Sequence, residues 1–181
     1  SSIQKANTVR EYRAALVEFL KSTADYHVGF NFYSTESATL PFQVKTVEGK
    51  SIFVFIDRKK LPVATFPFQT GDELIAMDGV PMAKLLGEIK MEIGKNVPGT
   101  DNAMADLTVA SRTGRRNNVV PTSVVTLTIQ RAKETKTVEQ QIAWDYTPES
   151  IVPETMSLAN SDEDTFELKT PMMVSTEAQE F

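Results

Sequence analysis

Apolar residues recur at helical spacing near the start of the chain. Val9, Tyr12, Leu16, Phe19 and Leu20 fall on one stripe, and Thr8 with Glu11 three residues later forms a capping-box pattern. This predicts an amphipathic helix from about residue 8 to 24. After His27 the period shortens to two, with Phe30 and Phe32 alternating around Asn31 as in an aromatic-rich strand. The polar run "STESAT" follows. "LPFQVKTV" and "SIFVFI" then flank Glu48-Gly49-Lys50, which predicts a β-hairpin with a glycine turn.

In "PFQTGDELIAMDGVP", the turn signals Gly71-Asp72 and Asp78-Gly79 bracket Leu74, Ile75 and Met77, a short strand. Pro81 suits the first turn of a helix that carries Met82, Leu85, Leu86 and Ile89 on one stripe and stops near Gly94. A further helix is predicted after Thr100, running through Met104, Leu107 and Val109 toward a stop at Gly114. Val125, Leu127 and Ile129 then alternate with polar partners. Past a turn at Lys133-Glu134, Val138, Gln140, Ile142 and Trp144 repeat every second residue, giving a second hairpin. From Thr147 the period is lost, prolines and an acidic patch at Asp162–Asp164 appear, and an irregular tail is expected.

Composition narrows the classes. The 181 residues, 41% hydrophobic and 24% charged, are enough for one ordinary domain with extensions. A net charge of −5 is opposite in sign to the basic footprint that phosphate backbones select, so no nucleic-acid partner is expected. The short basic cluster from Arg112 to Arg116 reads as a solvated loop. With no cysteine, disulfides, thiolate metal sites and cysteine nucleophiles are excluded. The longest apolar run, Ile52–Ile56, is far short of the roughly 18 residues of a membrane span. The single histidine has no partner at i+3 or i+4, and the acidic patch lacks the spacing of a calcium loop, so no metal and no cofactor is expected. The start lacks Met and the build of a signal peptide, which points to a processed or cut beginning.

Order along the chain adds a resemblance. "GDELIAMDG" resembles the strand and turn that lead into the groove helix of PDZ domains. The sequence helix, Asp25-Tyr26-His27, strands, "GDELIAMDG", helix and hairpin is similar to the C-terminal processing (tail-specific) serine peptidases. Within these it most resembles the group of the chlamydial protease-like activity factor, through Asp25-Tyr26-His27, Phe32–Ala38 with Pro41, and Trp144–Glu149. The resemblance covers about residues 10 to 150. It implies an α+β fold: an N-terminal helix and His-bearing segment (1–33), a permuted PDZ-like small β-barrel with two helices (34–146), and a tail or linker (147–181) toward a protease core domain.

In that group the histidine of the "DYH" motif is the general base for a serine in the downstream core domain, so the resemblance implies a catalytic role for His27. Imidazole chemistry suits the role, because a group titrating near neutrality takes and returns a proton readily. The serine, the group that orients the histidine and the oxyanion hole are expected in the missing core domain. Ser34, Ser37 and Ser111 sit in no nucleophile elbow. The chain is therefore expected to be inactive alone. Its expected partners are the core domain or fragment, a polypeptide substrate and a second copy of the full protease, in a secreted or envelope setting of a bacterium.

The PDZ likeness makes Leu40, Phe42 and Val44 the candidate edge for an added peptide strand, and Leu85, Leu86 and Ile89 the candidate wall. Leu85, Leu86 and Ile89 also read plainly as core residues. Where carboxylate capture uses a loop of free N–H groups, "ATLPFQ" places Pro41, which has none, so capture of a free C-terminus is not expected. The alternative to a protease part is a stand-alone peptide-binding or scaffold module.

Overall fold

The computed structural model describes residues 5–94 and 96–150. Helix α1 (Val9–Lys21) opens the chain, with Thr8 as N-cap and the capping box closed by Glu11. No residue of α1 is buried. It ends three residues short of the expected 24, because Thr23 Oγ1 donates back to Leu20 O at 2.7 Å and Ala24 reverses the backbone at φ 52°. The aromatic segment after His27 forms no strand of either sheet, against the expectation. Phe32 is buried beneath the guanidinium of Arg13, while Phe30 is exposed.

The nine strands are β1 (Ser37–Thr39), β2 (Phe42–Val47), β3 (Lys50–Ile56), β4 (Glu73–Met77), β5 (Val80–Pro81), β6 (Ser111–Thr113), β7 (Val124–Gln130), β8 (Thr137–Ala143) and β9 (Asp145–Thr147), with α2 (Met82–Ile93) and α3 (Pro98–Val109) between β5 and β6. They form a six-stranded antiparallel sheet along the path β2-β3-β4-β7-β8, with β5 added to β4, and a three-stranded sheet β6-β1-β9. The α+β PDZ-like fold expected from the sequence is the fold observed. Its larger sheet stays open, with β2 and β8 as the ends of the path.

Local chemistry explains the turns. Glu48 and Gly49 both take positive φ (50° and 80°), as do Asp78 and Gly79 (49° and 75°), the pattern of two-residue hairpin turns whose twist matches the strands. Alternation places one face of each strand inward: Phe42 and Val44 on β2, Phe53 on β3, Val125, Leu127 and Ile129 on β7.

The loop between β3 and β4 adds Leu61, Phe66 and Phe68 to the core, beside residues of α2 and α3. Phe42, Phe53, Phe66 and Phe68 make successive edge-to-face contacts at centroid separations of 5.0, 6.1 and 5.0 Å. The Arg58 guanidinium holds that loop by donating to the carbonyls of Leu61, Phe66 and Phe68. Buried Asp72 ties its end, accepting from the N–H of Gln69 at 2.8 Å and of Ala132 at 2.9 Å.

Two expectations are corrected here. Helix α3 starts at Pro98, before Thr100, because a proline at the first position needs no N–H partner. It stops at Val109, well before Gly114, because the chain leaves to pair as β6 with β1. The basic cluster is not simply a solvated loop. Arg112 donates to the carbonyls of Thr108 and Ser111 and lies over the Trp144 ring, 5.9 Å from its centroid. Loss of solvent pulls its guanidinium below the ordinary arginine range.

Candidate functional site

After Ala24 reverses the chain, Asp25 builds a compact turn. Its Oδ1 accepts the backbone N–H of His27 at 2.9 Å and lies 3.0 Å from His27 Nδ1. Tyr26, between them, points to the body of the domain. Its hydroxyl donates to Asp101 Oδ1 at 2.6 Å and accepts from the Val97 N–H at 3.2 Å, which pins the turn to the start of α3. Loss of solvent around the ring, and then the bond to Asp101, raise the Tyr26 phenol above the ordinary tyrosine range. The outcome is an alternation of roles: one residue anchors, and the two beside it face outward as a carboxylate–imidazole pair.

The His27 side chain is 96% exposed and that of Asp25 50%. The ring is held on one nitrogen and open on its other edge, so a group from outside the chain can approach it. Beside this turn, α1, Tyr26 with residues 28–31, the end of α2, α3 and residues 116–118 line an open groove of about 520 Å³, with Ala14, Val17, Val28, Ile93, Met104 and Thr108 among its walls. The sequence reading assigns His27 no partner within this chain, because it expects the orienting group in a downstream domain; the structure places Asp25 against the ring. The signal was present: an aspartate two residues before a histidine has the spacing of a side-chain-to-backbone turn.

The motif segments Phe32–Ala38 and Trp144–Glu149 prove to be one structural unit. Strand β1 pairs with β9, Ala38 opposite Tyr146. Glu149 Oε2 accepts from Ser34 Oγ at 2.6 Å, and Oε1 accepts from the Thr35 N–H at 2.9 Å and from the Thr35 hydroxyl. Tyr146 donates to Glu36 Oε1 at 2.9 Å, which raises its phenol above the ordinary range. Residues 147–150 thus contribute to this clasp; the rest of the expected tail, 151–181, lies outside the described residues. Gly114 sits at the same place, and a Cβ there would run into the Ser34 side chain unless that side chain shifts.

The six groove candidates lie elsewhere. Leu40, Phe42, Val44, Leu86 and Ile89 are buried in the core, with Leu85 packed against it. β2 is an end of its sheet, and the helix that packs on it is α3. Asp106 of α3, itself buried, accepts from the Thr46 N–H at 2.8 Å and from Thr46 Oγ1 at 2.6 Å. Ahead of β2, the Leu40 N–H is committed to Ala110 O at 2.9 Å, next to Pro41 with no N–H to offer. Among the described residues, no three His, Cys, Asp or Glu gather as a metal site, and no helix is long and apolar enough to cross a membrane.

Comparison with known proteins places these features. The PDZ domain model matches residues 36–152. An uncharacterized protein of Chlamydia muridarum is 33% identical over 141 residues, covering 75% of this chain and 22% of the relative. A protein of Chlamydia trachomatis serovar D is 34% identical over the same length, again with 22% of the relative covered. Among solved structures, mature CPAF (chlamydial protease-like activity factor) complexed with lactacystin superposes with a TM-score of 0.69 at 28% identity, over 83% of this chain and 28% of that one. A crystal structure of mature CPAF gives 0.66 at 30% identity, over 78% and 26%. The chain therefore spans little more than a quarter of the chains it matches in structure.

Proposed function

The chain belongs to the PDZ domain family, and from that premise we propose that it is the N-terminal, general-base-donating part of a serine endopeptidase, inactive until joined by the core domain that carries the nucleophilic serine. The likeness to mature CPAF supports the association of this PDZ-like part with a protease. The observation that carries the finer reading is the exposed His27 ring, held at Nδ1 by a carboxylate and open to an incoming group.

In this reading a serine hydroxyl from the core domain approaches the free edge of the imidazole. His27 takes its proton as the oxygen attacks the scissile carbonyl of a polypeptide, and returns that proton to the leaving amine. A base with no nucleophile performs no acyl transfer, so the isolated chain hydrolyses nothing.

The test compares three samples on a peptide substrate: the chain alone, the chain joined to the rest of its protease, and the joined form with His27→Ala. Hydrolysis is expected from the second only. Full activity with His27→Ala would falsify the base assignment, and turnover by the chain alone would remove the need for a core domain.

A second reading, a module that binds extended peptides, is favoured by one observation: β2 ends its sheet, with Gln43, Lys45 and Val47 exposed. The side chains proposed as its pockets are buried, apart from the partly buried Leu85, and Thr46 and Leu40 already spend their N–H groups within the domain. Micromolar binding of peptides that depends on their free carboxylate would establish this reading.

A further inference from the structure

We propose that the groove beside the His27 turn and the basic pocket around Arg115 and Arg116 form one docking cleft for an extended polypeptide segment that carries apolar side chains followed by acidic ones. The inference does not depend on His27 acting as a base.

Two open cavities meet on this face. The first, of about 520 Å³, has apolar walls from Ala14 and Val17 of α1, from Val28 and from Met104 of α3. The second, of about 510 Å³, is lined by Arg115, Arg116, Asn118, Ser111 and Thr113 beside Leu107. Asn31, Thr108, Arg116 and Asn118 border both, so the two are sections of a single depression. Each section has the volume of a small-ligand site.

The basic section carries donors that the domain does not use. Arg115 and Arg116 are exposed, and among the described residues no carboxylate pairs with either guanidinium. Arg112 of the same cluster differs, because its guanidinium is spent on the carbonyls of Thr108 and Ser111. Asn118 Oδ1 accepts the Thr113 N–H at 3.2 Å, which leaves its amide N–H groups to donate to a ligand. The backbone beneath is held: Thr113 Oγ1 accepts the Arg115 N–H at 3.3 Å, and Arg115 O accepts the Phe32 N–H at 2.9 Å.

Two neighbouring guanidiniums select an anion, and their planar forks suit carboxylates. On a chain of net charge −5, this local positive site draws acidic groups where the overall field repels them. The apolar section next to it favours a polypeptide over a free anion, since an ion such as phosphate would fill the basic end alone and leave the walls from α1 and α3 in water. The carboxylates that line the apolar section do not cancel the basic end. Glu18 is paired with Lys21 at 2.9 Å, and Glu92 acts on Arg112.

Fluorescence anisotropy of a short labelled peptide, with leucines in its first half, glutamates in its second and both ends blocked, reads the binding directly. Micromolar binding to the wild-type chain is expected, about 10-fold weaker with Arg115→Ala and Arg116→Ala together and weaker again as salt rises. These changes leave the backbone bonds of Arg115 in place, so an unchanged urea midpoint is expected beside the lost affinity. Ala14→Glu, at an exposed helix position on the apolar wall, should weaken binding by bulk and by like charge.

Equal affinity for a peptide with glutamine in place of glutamate overturns the proposal, and so does undiminished binding by the double arginine variant. Displacement of the peptide by inorganic phosphate, at an ionic strength matched with sodium chloride, would make the pocket a free-anion site. Loss of peptide binding in the joined protease would make the core domain the occupant of the cleft. Either result also overturns the proposal. The base assignment is read by hydrolysis and fails separately, because none of these binding measurements requires turnover.

Discussion

Replacing Asp106 with alanine probes the join between α3 and the end strand β2. The carboxylate is 8% exposed and uses both oxygens on one residue, Oδ2 for the Thr46 N–H at 2.8 Å and Oδ1 for Thr46 Oγ1 at 2.6 Å. Hydrogen bonds to charged groups contribute about 1.5–3 kcal/mol each, so the pair contributes about 3–6 kcal/mol gross. Removing the carboxylate also removes the cost of keeping a charge out of water, which offsets part of that loss and leaves a net effect of about 2–4 kcal/mol. Against a typical domain stability of about 5–15 kcal/mol this is a large fraction. Asp106→Asn keeps one acceptor oxygen and should lose about half as much. Urea unfolding is the assay: the midpoint should fall with the slope unchanged. A cycle with Thr46→Val separates the hydroxyl bond from the N–H bond, and the two changes should couple by about 1 kcal/mol. The reasoning is refuted if Asp106→Ala stays within about 0.5 kcal/mol of wild type, the range of an ordinary surface change. It is refuted equally if the cycle shows simple additivity.

Other outcomes follow from the clasp around β1. Glu149→Ala removes the acceptor for Ser34 and Thr35; because these groups are exposed, the cost should be about 1–2 kcal/mol, seen as faster amide hydrogen exchange at Thr35. Unchanged exchange there would show that the carboxylate does not hold the segment. Gly114→Ala forces a Cβ against the Ser34 side chain and should cost about 1–3 kcal/mol in thermal unfolding, with most of the loss relieved by adding Ser34→Gly. A lack of rescue would point to some other cause. The Tyr146 phenol is raised first by its bond to Glu36, so its contribution is complete below the unfolded value of about 10 and is lost as pH rises through the higher folded value. Stability measured from pH 9 upward should therefore fall more steeply in wild type than in Tyr146→Phe, and parallel curves would contradict the assignment.

How much of this was legible in the chain depends on the distance over which each feature is decided. The Thr8–Glu11 capping box, the Glu48-Gly49 and Asp78-Gly79 turns, and the alternation of Val125, Leu127 and Ile129 are settled by neighbours within a few residues, and all stand where the pattern placed them. The Asp25–His27 pair is equally local, only two residues apart, but an aspartate two before a histidine does not by itself fix whether the ring turns toward it. Phe66 and Phe68 sit in a loop; they are buried by packing against Phe53 and the core, while Arg58 gathers three carbonyls of the loop, a convergence that no local pattern announces.

The amino-acid sequence by itself determined the first helix, the two hairpins, the helix after Pro81, the family likeness and the identity of the one imidazole. Tertiary structure decided the rest. It joined Ser34 and Thr35 to Glu149 across more than a hundred positions, made β2 an end strand occupied in part by Asp106, closed Leu40, Phe42, Val44, Leu86 and Ile89 into the core, and left His27 facing water. The physical reason is that periodicity and turn chemistry act through bonds between near neighbours. Burial and hydrogen-bond partnership are instead properties of a position in space, fixed only once distant segments have packed.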